Sequence, residues 1–326
     1  MIIPILQFIL AKGTGDAAIK KLLLLSQVHN IQEIRKICSE KKRLMLELKL
    51  SLTTAEAISN ILPQAIELYN SLRSQYIDLI WIGHPQYPER LKNVLGDNAP
   101  PYLFVKGNKD LLKSIGVGFC GARSSSARGL NITAKCSAML ANHKINVVSG
   151  YAKGVDMAAH SAALKNKGHT TIVLAEGILR FIEKEEVRVL LNDDNHIIVS
   201  QFPPNLTWIA RNAMQRNHLI IALSDAMILI EAGASGGTFA AGEATLKHNQ
   251  PLFVVDYASP PESASGNELL IKRGGLLLKQ TREFEPNLTK VIQKAKEQFI
   301  RNSTSLPNEG LLCSIYGILD TTFESC

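Results

Sequence analysis

Residues 116–129 read GVGFCGARSSSARG, and this stretch decides the fold class of the chain. Its first five residues form an apolar strand, which runs into a turn at Gly121 and then into a helix. Gly121 permits a sharp turn, and Ser124 and Ser125 place amides and hydroxyls at the helix N-terminus, where the helix dipole favours an anion. Arg123 adds a bidentate phosphate donor. We therefore predict a strand–turn–helix unit that binds phosphate; capping of the helix by the serines is the alternative.

Residues 149–160, SGYAKGVDMAAH, repeat this pattern. The strand ends at Ser149 and Gly150, and Lys153 and Gly154 lie in the turn before the next helix. We expect Lys153 to reach a phosphate from this turn, and we predict that Ser149, Gly150 and Gly154 belong to the same phosphate site. No GxxxxGK[ST] loop occurs in the chain, so the sequence does not support ATP hydrolysis through a P-loop.

Two further stretches extend the predicted phosphate site. Residues 211–218, RNAMQRNH, form a polar and basic helix start, and residues 231–239, EAGASGGTF, again lead from a strand through a turn into a helix. The backbone amides and hydroxyls of the second turn form a potential anion nest. The residues predicted to bind phosphate in these stretches are Arg211, Arg216, Asn217, Ser235, Gly236, Gly237 and Thr238.

The alternation of short apolar strands and helices predicts an α/β fold, with a doubly wound, mostly parallel sheet covered on both faces. Right-handed crossovers then place ligands beyond the carboxyl ends of the strands. We predict strands at 77–82, 102–105, 116–120, 146–149, 170–175, 197–200, 226–231 and 252–256, and helices at 128–142, 156–166, 179–191, 210–223 and 238–247.

Residues 1–75 predict a small all-helical N-terminal domain, because apolar residues recur there at helical spacing. This segment holds ten Lys and Arg residues against six Asp and Glu residues. Its GTG turn at 13–15 is similar to the hairpin of a helix-hairpin-helix or SAM-like domain, with an ordinary helix connection as the alternative. Residues 76–288 then form the α/β domain. Residues 289–326 are predicted to begin with a helix, to include a linker at 301–307 and to end as a vestigial C-terminal extension.

Composition narrows the classes of function. A formal net charge of +7 favours a polyanionic partner, namely nucleic acid, a nucleotide or an acidic membrane surface. The five cysteines show no CxxC pairing and no zinc-ligand spacing with histidine, which indicates reduced thiols and no metal site. The apolar start, MIIPILQFIL, lacks a basic segment and is too short to span a bilayer. We expect a cytoplasmic protein with no membrane anchor and no cofactor.

Taken in order, the four stretches resemble the DprA/Smf family of DNA-processing proteins. The family pattern is G-x-R-x-x-S/T-x-x-G, SG-x-A-x-G-x-D-x-x-AH, RN-R-x-I and SG-[ST]-x-x-x-A. The similarity begins at YPERL (87–91) and PYLFVKG (101–107) and continues to GNELLI (266–271). The resemblance implies an extended Rossmann-like fold that binds single-stranded DNA and forms a homodimer. It also implies a role in loading a RecA-type recombinase during DNA uptake or recombination.

The chain departs from the family pattern at three places. His218 stands where the family has arginine, and we expect this change to remove a permanent charge from the DNA pocket. The family's SE-x-P-x-G reads SQFPPN at 200–205, and the stretch GILRFIE at 177–183 lacks the usual Tyr-Pro. These changes indicate a divergent member of the family, whose ligand can differ from that of the other members.

We predict a single-stranded DNA-binding protein without catalytic residues, in which stacking is limited to a few aromatic side chains such as Tyr151, Phe202 or Trp208. Asp156 is placed to cap its helix, and His160 lies on the same face; we interpret them as a cap and a packing histidine, with an acid–base or metal pair as the alternative. A nucleotide sensor and a nucleoside-monophosphate phosphoribohydrolase are the alternative functions. The latter use a GGxGTxxE turn, which GGT at 236–238 with Glu243 partly imitates.

Overall fold

The structure is a computed structural model that describes residues 1–279 and 285–304. Six helices come first in the chain: α1 (Ile2–Leu10), α2 (Asp16–Val28), α3 (Ile31–Ser39), α4 (Lys41–Leu48), α5 (Leu52–Asn60) and α6 (Leu62–Ser74). Strands and helices then alternate. The strands are β1 (Asp78–Trp81), β2 (Tyr102–Gly107), β3 (Gly116–Cys120), β4 (Asn146–Ser149), β5 (Thr170–Val173), β6 (His196–Ser200), β7 (Ala226–Leu229), β8 (Leu252–Val255) and β9 (Leu276–Leu278). The later helices are α7 (Arg90–Leu95), α8 (Ala127–Asn142), α9 (Val155–Lys165), α10 (Glu185–Arg188), α11 (Ala210–Leu223), α12 (Gly237–Lys247), α13 (Asn267–Lys272) and α14 (Thr289–Thr304).

The described strands form one sheet in the order β1-β2-β6-β5-β4-β3-β7-β8-β9. All neighbours from β6 to β9 run parallel, whereas β1 and β2 add antiparallel pairs at one side. From β3 the chain winds outward through β4, β5 and β6, and then returns to the other side of β3 with β7. The predicted α/β, doubly wound, mostly parallel sheet is therefore confirmed. β9 was not predicted, because three residues are too few to show a pattern.

Apolar side chains alternate between the two faces of the sheet, as the pleat requires. Val117 and Phe119 of β3 lie in the core shared with α8 and α9, whereas Val148 of β4 and Met227 of β7 lie in the core shared with α11. Full burial of a side chain such as Phe119 stabilises the fold by about 1.5–3 kcal/mol. The sheet between these two layers fixes the positions of the turns at its carboxyl edge.

The N-terminal helices pack directly on the sheet. Ile5 and Phe8 of α1 belong to the same apolar core as Phe104 of β2 and Ile172 of β5. The helical character of residues 1–75 is confirmed, and the boundary between this domain and the next stays a prediction. None of the helices in the described ranges has the length and apolarity needed to cross a bilayer.

The prediction of a continuous helix at 179–191 is wrong. The structure has only a 3-10 turn at Ile178–Arg180 and the four-residue helix α10 in this segment. Phe181 packs on the ring of Tyr151 with a centroid separation of 5.0 Å, and Lys184 donates its backbone N–H to the Tyr151 hydroxyl. These contacts hold the chain extended, so tertiary packing overrides the local helical preference.

The predicted helix after residue 287 is confirmed as α14, and it extends through residues 301–304, where a linker was predicted. Asn302 of this helix donates to the buried carboxylate of Asp225 at 3.3 Å. The rest of the predicted linker and the C-terminal extension, residues 305–326, lie outside the described residues.

Candidate nucleic-acid interface

Two adjoining cavities of about 420 Å³ each lie beyond the carboxyl ends of β3, β4 and β7. This is the point at which the winding of the sheet reverses, where open α/β sheets bind their ligands. Eight of the residues predicted to bind phosphate line these cavities: Gly121, Arg123, Ser124, Lys153, Arg216, Asn217, Gly237 and Thr238. The structure therefore brings residues from all four sequence stretches to one place.

Arg216 lies on the wall that the two cavities share. Its side chain is only 7% exposed, and Nη1 donates to the carbonyl oxygen of Val173 at 2.8 Å. The buried Nε has no hydrogen-bond partner within the described part of the chain. Burial lowers the pKa of Arg216, and the nearby carboxylate of Asp156 acts in the opposite direction. A buried guanidinium with an unsatisfied donor is a site at which an anionic ligand lowers the free energy.

Arg123 and Trp208 form the outer part of the same wall. The guanidinium of Arg123 lies over the indole ring, 5.3 Å from the ring centroid, which is a cation–π arrangement. Both residues are exposed, and both line the two cavities. Lys153 adds a second exposed cation to the second of the two cavities, which is also lined by Ser124 and Glu176 and which we call the polar chamber. The mouth of the site is therefore basic.

Two glycines allow the turns to approach each other. Gly154 has φ +81°, and a Cβ at this position would lie 2.6 Å from the carbonyl oxygens of Ala122 and Arg123. A Cβ on Gly150 would lie 1.7 Å from Nη1 of Arg216. These glycines do not line the cavities; they bring the β4 turn against the Arg123 turn and Arg216.

Ser149, Asp156 and His160 have structural partners. The hydroxyl of Ser149 donates to Oδ1 of Asp156 at 2.9 Å, and Oδ2 of Asp156 accepts the N–H of Ala152 at 3.1 Å. Asp156 is not the helix cap that was predicted, because α9 begins after Gly154 and Asp156 lies in its first turn. His160 is fully buried, and burial lowers its pKa; its ring nitrogens contact the Thr170 hydroxyl and the Gly150 carbonyl.

The prediction that Ser125 holds a phosphate meets a competing internal anion. Its hydroxyl donates to the carboxylate of Glu231 at 2.7 Å, and Ser126 donates its N–H to the same carboxylate at 2.8 Å. Tyr257 and Ser263 also donate to Glu231. The carboxylate of Glu231 thus already occupies the N-terminus of α8. Of Ser124, Ser125 and Ser126, only Ser124 lines a cavity.

Three other predicted residues lie outside the cavity lining. Arg211, Ser235 and Gly236 are exposed near the edge of the site, at the starts of α11 and α12. They extend the surface around the cavities rather than their walls.

The structure places His218 outside the two cavities. It lies in a separate groove beside His248, where Nδ1 of His218 is 3.2 Å from Nε2 of His248. Residues 216 and 218 differ by 200° around an α-helix, so they lie on different faces of α11. The histidine therefore removes no charge from the cavities that hold Arg216.

Two carboxylates, Glu176 and Glu231, were not predicted to be functional, whereas Asp156, which lines the first cavity, was singled out from the sequence. Glu176 lines the polar chamber, and burial raises its pKa. Glu231 follows a buried strand, and an acidic residue at such a position is a sequence signal for a functional carboxylate. Among the described residues, no group of three or more His, Cys, Asp and Glu side chains is arranged to hold a metal ion.

Comparison with known proteins identifies the family. The family model described as DNA recombination-mediator protein A matches residues 78–288. The chain is 32% identical over 195 residues to DNA processing protein DprA of Streptococcus pneumoniae, which covers 59% of this chain and 67% of that protein. It is 29% identical over 215 residues to DNA processing protein DprA of Bacillus subtilis, which covers 65% and 71%.

Solved structures agree with this result. The structure of DNA processing protein A from Streptococcus pneumoniae has a TM-score of 0.61 and 26% identity, and it covers 81% of this chain and 90% of that one. DNA processing protein A from Helicobacter pylori has a TM-score of 0.57 and 25% identity, covering 67% and 96%. Because the family model spans most of the α/β sheet, the chain belongs to the DNA recombination-mediator protein A family, which is the DprA/Smf family that its motifs resemble.

Proposed function

We propose that this chain is a cytoplasmic, non-catalytic protein that binds single-stranded DNA in DNA processing. The observation that carries the proposal is Arg216, a buried guanidinium that lines both cavities. Arg123 and Lys153 lie at the mouth of the same site. The carboxylate of Asp156 offsets part of this charge, and a negatively charged ligand in the cavities is the partner that best balances the three cations.

The charge balance of the site favours phosphate. Asp156 lines the first cavity, and its carboxylate accepts hydrogen bonds from Ser149 and Ala152. Glu176 lines the second cavity, and burial raises its pKa. Three cations, including the exposed Arg123, therefore outweigh the carboxylates that a DNA backbone would meet.

A family relative supports the choice of single-stranded DNA. The structural study of DNA processing protein A from Helicobacter pylori describes a unique single-stranded DNA binding mode for that protein. Its chain is covered almost completely by the region that this chain shares with it. We extend the same class of ligand to the cavities described above.

The hydrolase alternative finds no support in the position of Glu243. Its carboxylate pairs with the guanidinium of Arg273 on the exposed side of α12, and Glu243 lines neither cavity. Thr238, which would belong to the same motif, does line a cavity. The two residues thus do not converge on one site, as a phosphoribohydrolase would require.

We also propose that the protein acts as a homodimer with a RecA-type recombinase as its partner, as its family suggests. Leu276 and Leu277 of the edge strand β9 and Leu269 of α13 are exposed. No strand in the described ranges pairs with the outer side of β9. An apolar edge strand favours pairing with a second copy. Light scattering of wild type and Leu277→Glu should then show a dimer that the charge converts to a monomer.

Titration with fluorescently labelled oligo-dT and with a duplex of equal length, each at two salt concentrations, tests the function. We expect oligo-dT to bind more tightly than duplex and to lose affinity steeply as salt rises. Incubation with nucleoside monophosphates should release no free base. Binding that ignores salt, or measurable base release, would contradict the proposal.

A further inference from the structure

Of the aromatic residues Tyr151, Phe202 and Trp208, only Trp208 has a ring that remains available for a ligand. Phe202 is only 5% exposed. The ring of Tyr151 is covered by the ammonium group of Lys184, 4.4 Å from its centroid, and by the ring of Phe181. Trp208 is 46% exposed, and the guanidinium of Arg123 lies over its ring.

Trp208 and Arg123 both line the two cavities, yet the cavities differ in character. The first, which we call the apolar chamber, has Phe119, Met214 and Ile220 on its lining beside the charged Arg123, Asp156 and Arg216. The second, the polar chamber, lacks these three apolar side chains and adds Lys153 and Ser124 to the two arginines. The Arg123–Trp208 pair thus stands between an apolar chamber and a polar chamber of equal size.

We infer that Trp208 is the base-stacking residue of this site, and that it places an unpaired base in the apolar chamber while the adjoining phosphate lies in the polar chamber. The inference rests on the proposed function and specifies which group of the DNA enters which cavity. An indole ring offers a flat apolar face to any base, so stacking on it is tolerant of sequence. Arg123 on the ring orients the indole and supplies a charge for the phosphate beside it.

The arrangement also selects the strand state of the ligand. A base in a duplex is stacked and paired, and must be extruded before it can enter a chamber. A single strand needs no such step. Asn217, which lines the apolar chamber, carries an amide that can donate to and accept from the edge of an unpaired base.

Tryptophan fluorescence gives a direct test, because the chain contains two tryptophans. Trp81 lies on β1 against His84 and lines neither cavity. We expect oligo-dT to quench the emission of wild type and of Trp81→Phe, in which Trp208 is the remaining tryptophan. Trp208→Phe should lose this quenching and still bind, because phenylalanine preserves an aromatic face.

An affinity series with oligo-dT and an abasic oligonucleotide of equal length completes the test. We expect Trp208→Ala to bind oligo-dT about 5- to 150-fold more weakly than wild type, with little change for the abasic strand. Equal losses on both strands, or no quenching in Trp81→Phe despite binding, would overturn the role of Trp208 and leave the proposed function standing. Failure of wild type to bind oligo-dT would instead overturn the function itself, and the inference with it.

Discussion

Ser126 donates two hydrogen bonds to the carboxylate of Glu231, one from its backbone N–H at 2.8 Å and one from its hydroxyl. Glu231 is fully buried and also accepts hydrogen bonds from Ser125, Tyr257 and Ser263. A helix N-terminus presents free N–H groups and partial positive charge, and an anion satisfies both. Glu231 therefore acts as the internal anion of α8 and fixes the turn that carries Arg123.

Glu231→Gln should destabilise the protein by about 1–3 kcal/mol, because an amide cannot accept all the hydrogen bonds that the carboxylate receives. Chemical denaturation of both proteins at pH 7 measures the difference. We expect weaker oligo-dT binding as well, since the Arg123 turn loses its anchor. A variant as stable as wild type at neutral pH would show that the carboxylate is not needed.

The same pair predicts how stability depends on pH. Burial alone would raise the pKa of Glu231, but the hydrogen bonds from Ser126, Ser125 and Ser263 outweigh it and hold the pKa below its ordinary value of 4.5. A lowered folded-state pKa stabilises the protein fully above the ordinary value, and this contribution is lost as the pH falls through the folded-state pKa. The stability difference between wild type and Glu231→Gln should therefore be largest near neutrality and shrink in acid. A difference that stays constant down to acidic pH would contradict this mechanism.

Removal of either arginine at the site should weaken binding to oligo-dT by about 10- to 100-fold. Each lost phosphate contact should also reduce the slope of log affinity against log salt by about 0.7. Titrations of Arg123→Ala and Arg216→Ala at several salt concentrations measure both quantities. Because Arg216 is buried, thermal unfolding of Arg216→Ala is measured first, so that a loss of binding is not confused with a loss of folding.

Lys165→Ala is the matched control for these arginines. Lys165 is an exposed cation at the last position of α9, a helix of 11 residues whose other end lies at the site. At 1.5 Å per residue it lies about 14 Å along the helix from Asp156, which lines the first cavity. Its removal subtracts the same charge, so equal losses for Lys165 and Arg123 would indicate a general charge effect and not a defined site.

Much of the fold could be predicted because its signals are local. Each strand from β3 to β8 is a short apolar run, and Gly121 and Gly154 mark the turns that follow two of them. The convergence of these turns follows from parallel pairing, which places all carboxyl ends at one edge. That reasoning correctly brought Arg123 and Arg216 together.

The errors arose where distant residues decide the outcome. Glu231 binds Ser126 across 105 residues of chain, and no spacing rule connects them. The segment at 179–191 has helical composition, but Phe181 and Lys184 are held by Tyr151. His218 follows Arg216 and Asn217 so closely in sequence that it was assigned to their site, although it lies on a different face of α11 from Arg216.

Gly154→Ala should destabilise the protein by about 1–3 kcal/mol. An L-residue is strained at φ +81°, and its Cβ would meet two carbonyl oxygens. The Arg123 turn must move to relieve this contact, so oligo-dT affinity should fall together with stability. Gly233→Ala is the control, since its Cβ would meet its nearest atom at an ordinary 3.6 Å. Denaturation curves in which both variants match wild type would show that the close approach of the two turns is dispensable.

His218→Ala should leave the affinity for oligo-dT within about twofold of wild type, as expected for a surface substitution away from the binding site. The reason is geometric, because His218 lies beside His248 in a groove that shares no lining residue with the two cavities. Burial and the neighbouring His248 lower the pKa of His218, so it is mostly neutral at pH 7 and adds little charge there. Parallel titrations of His218→Ala and Arg216→Ala at pH 7 separate the two faces of α11. A loss for His218→Ala as large as that for Arg216→Ala would mean that the DNA path crosses this groove as well.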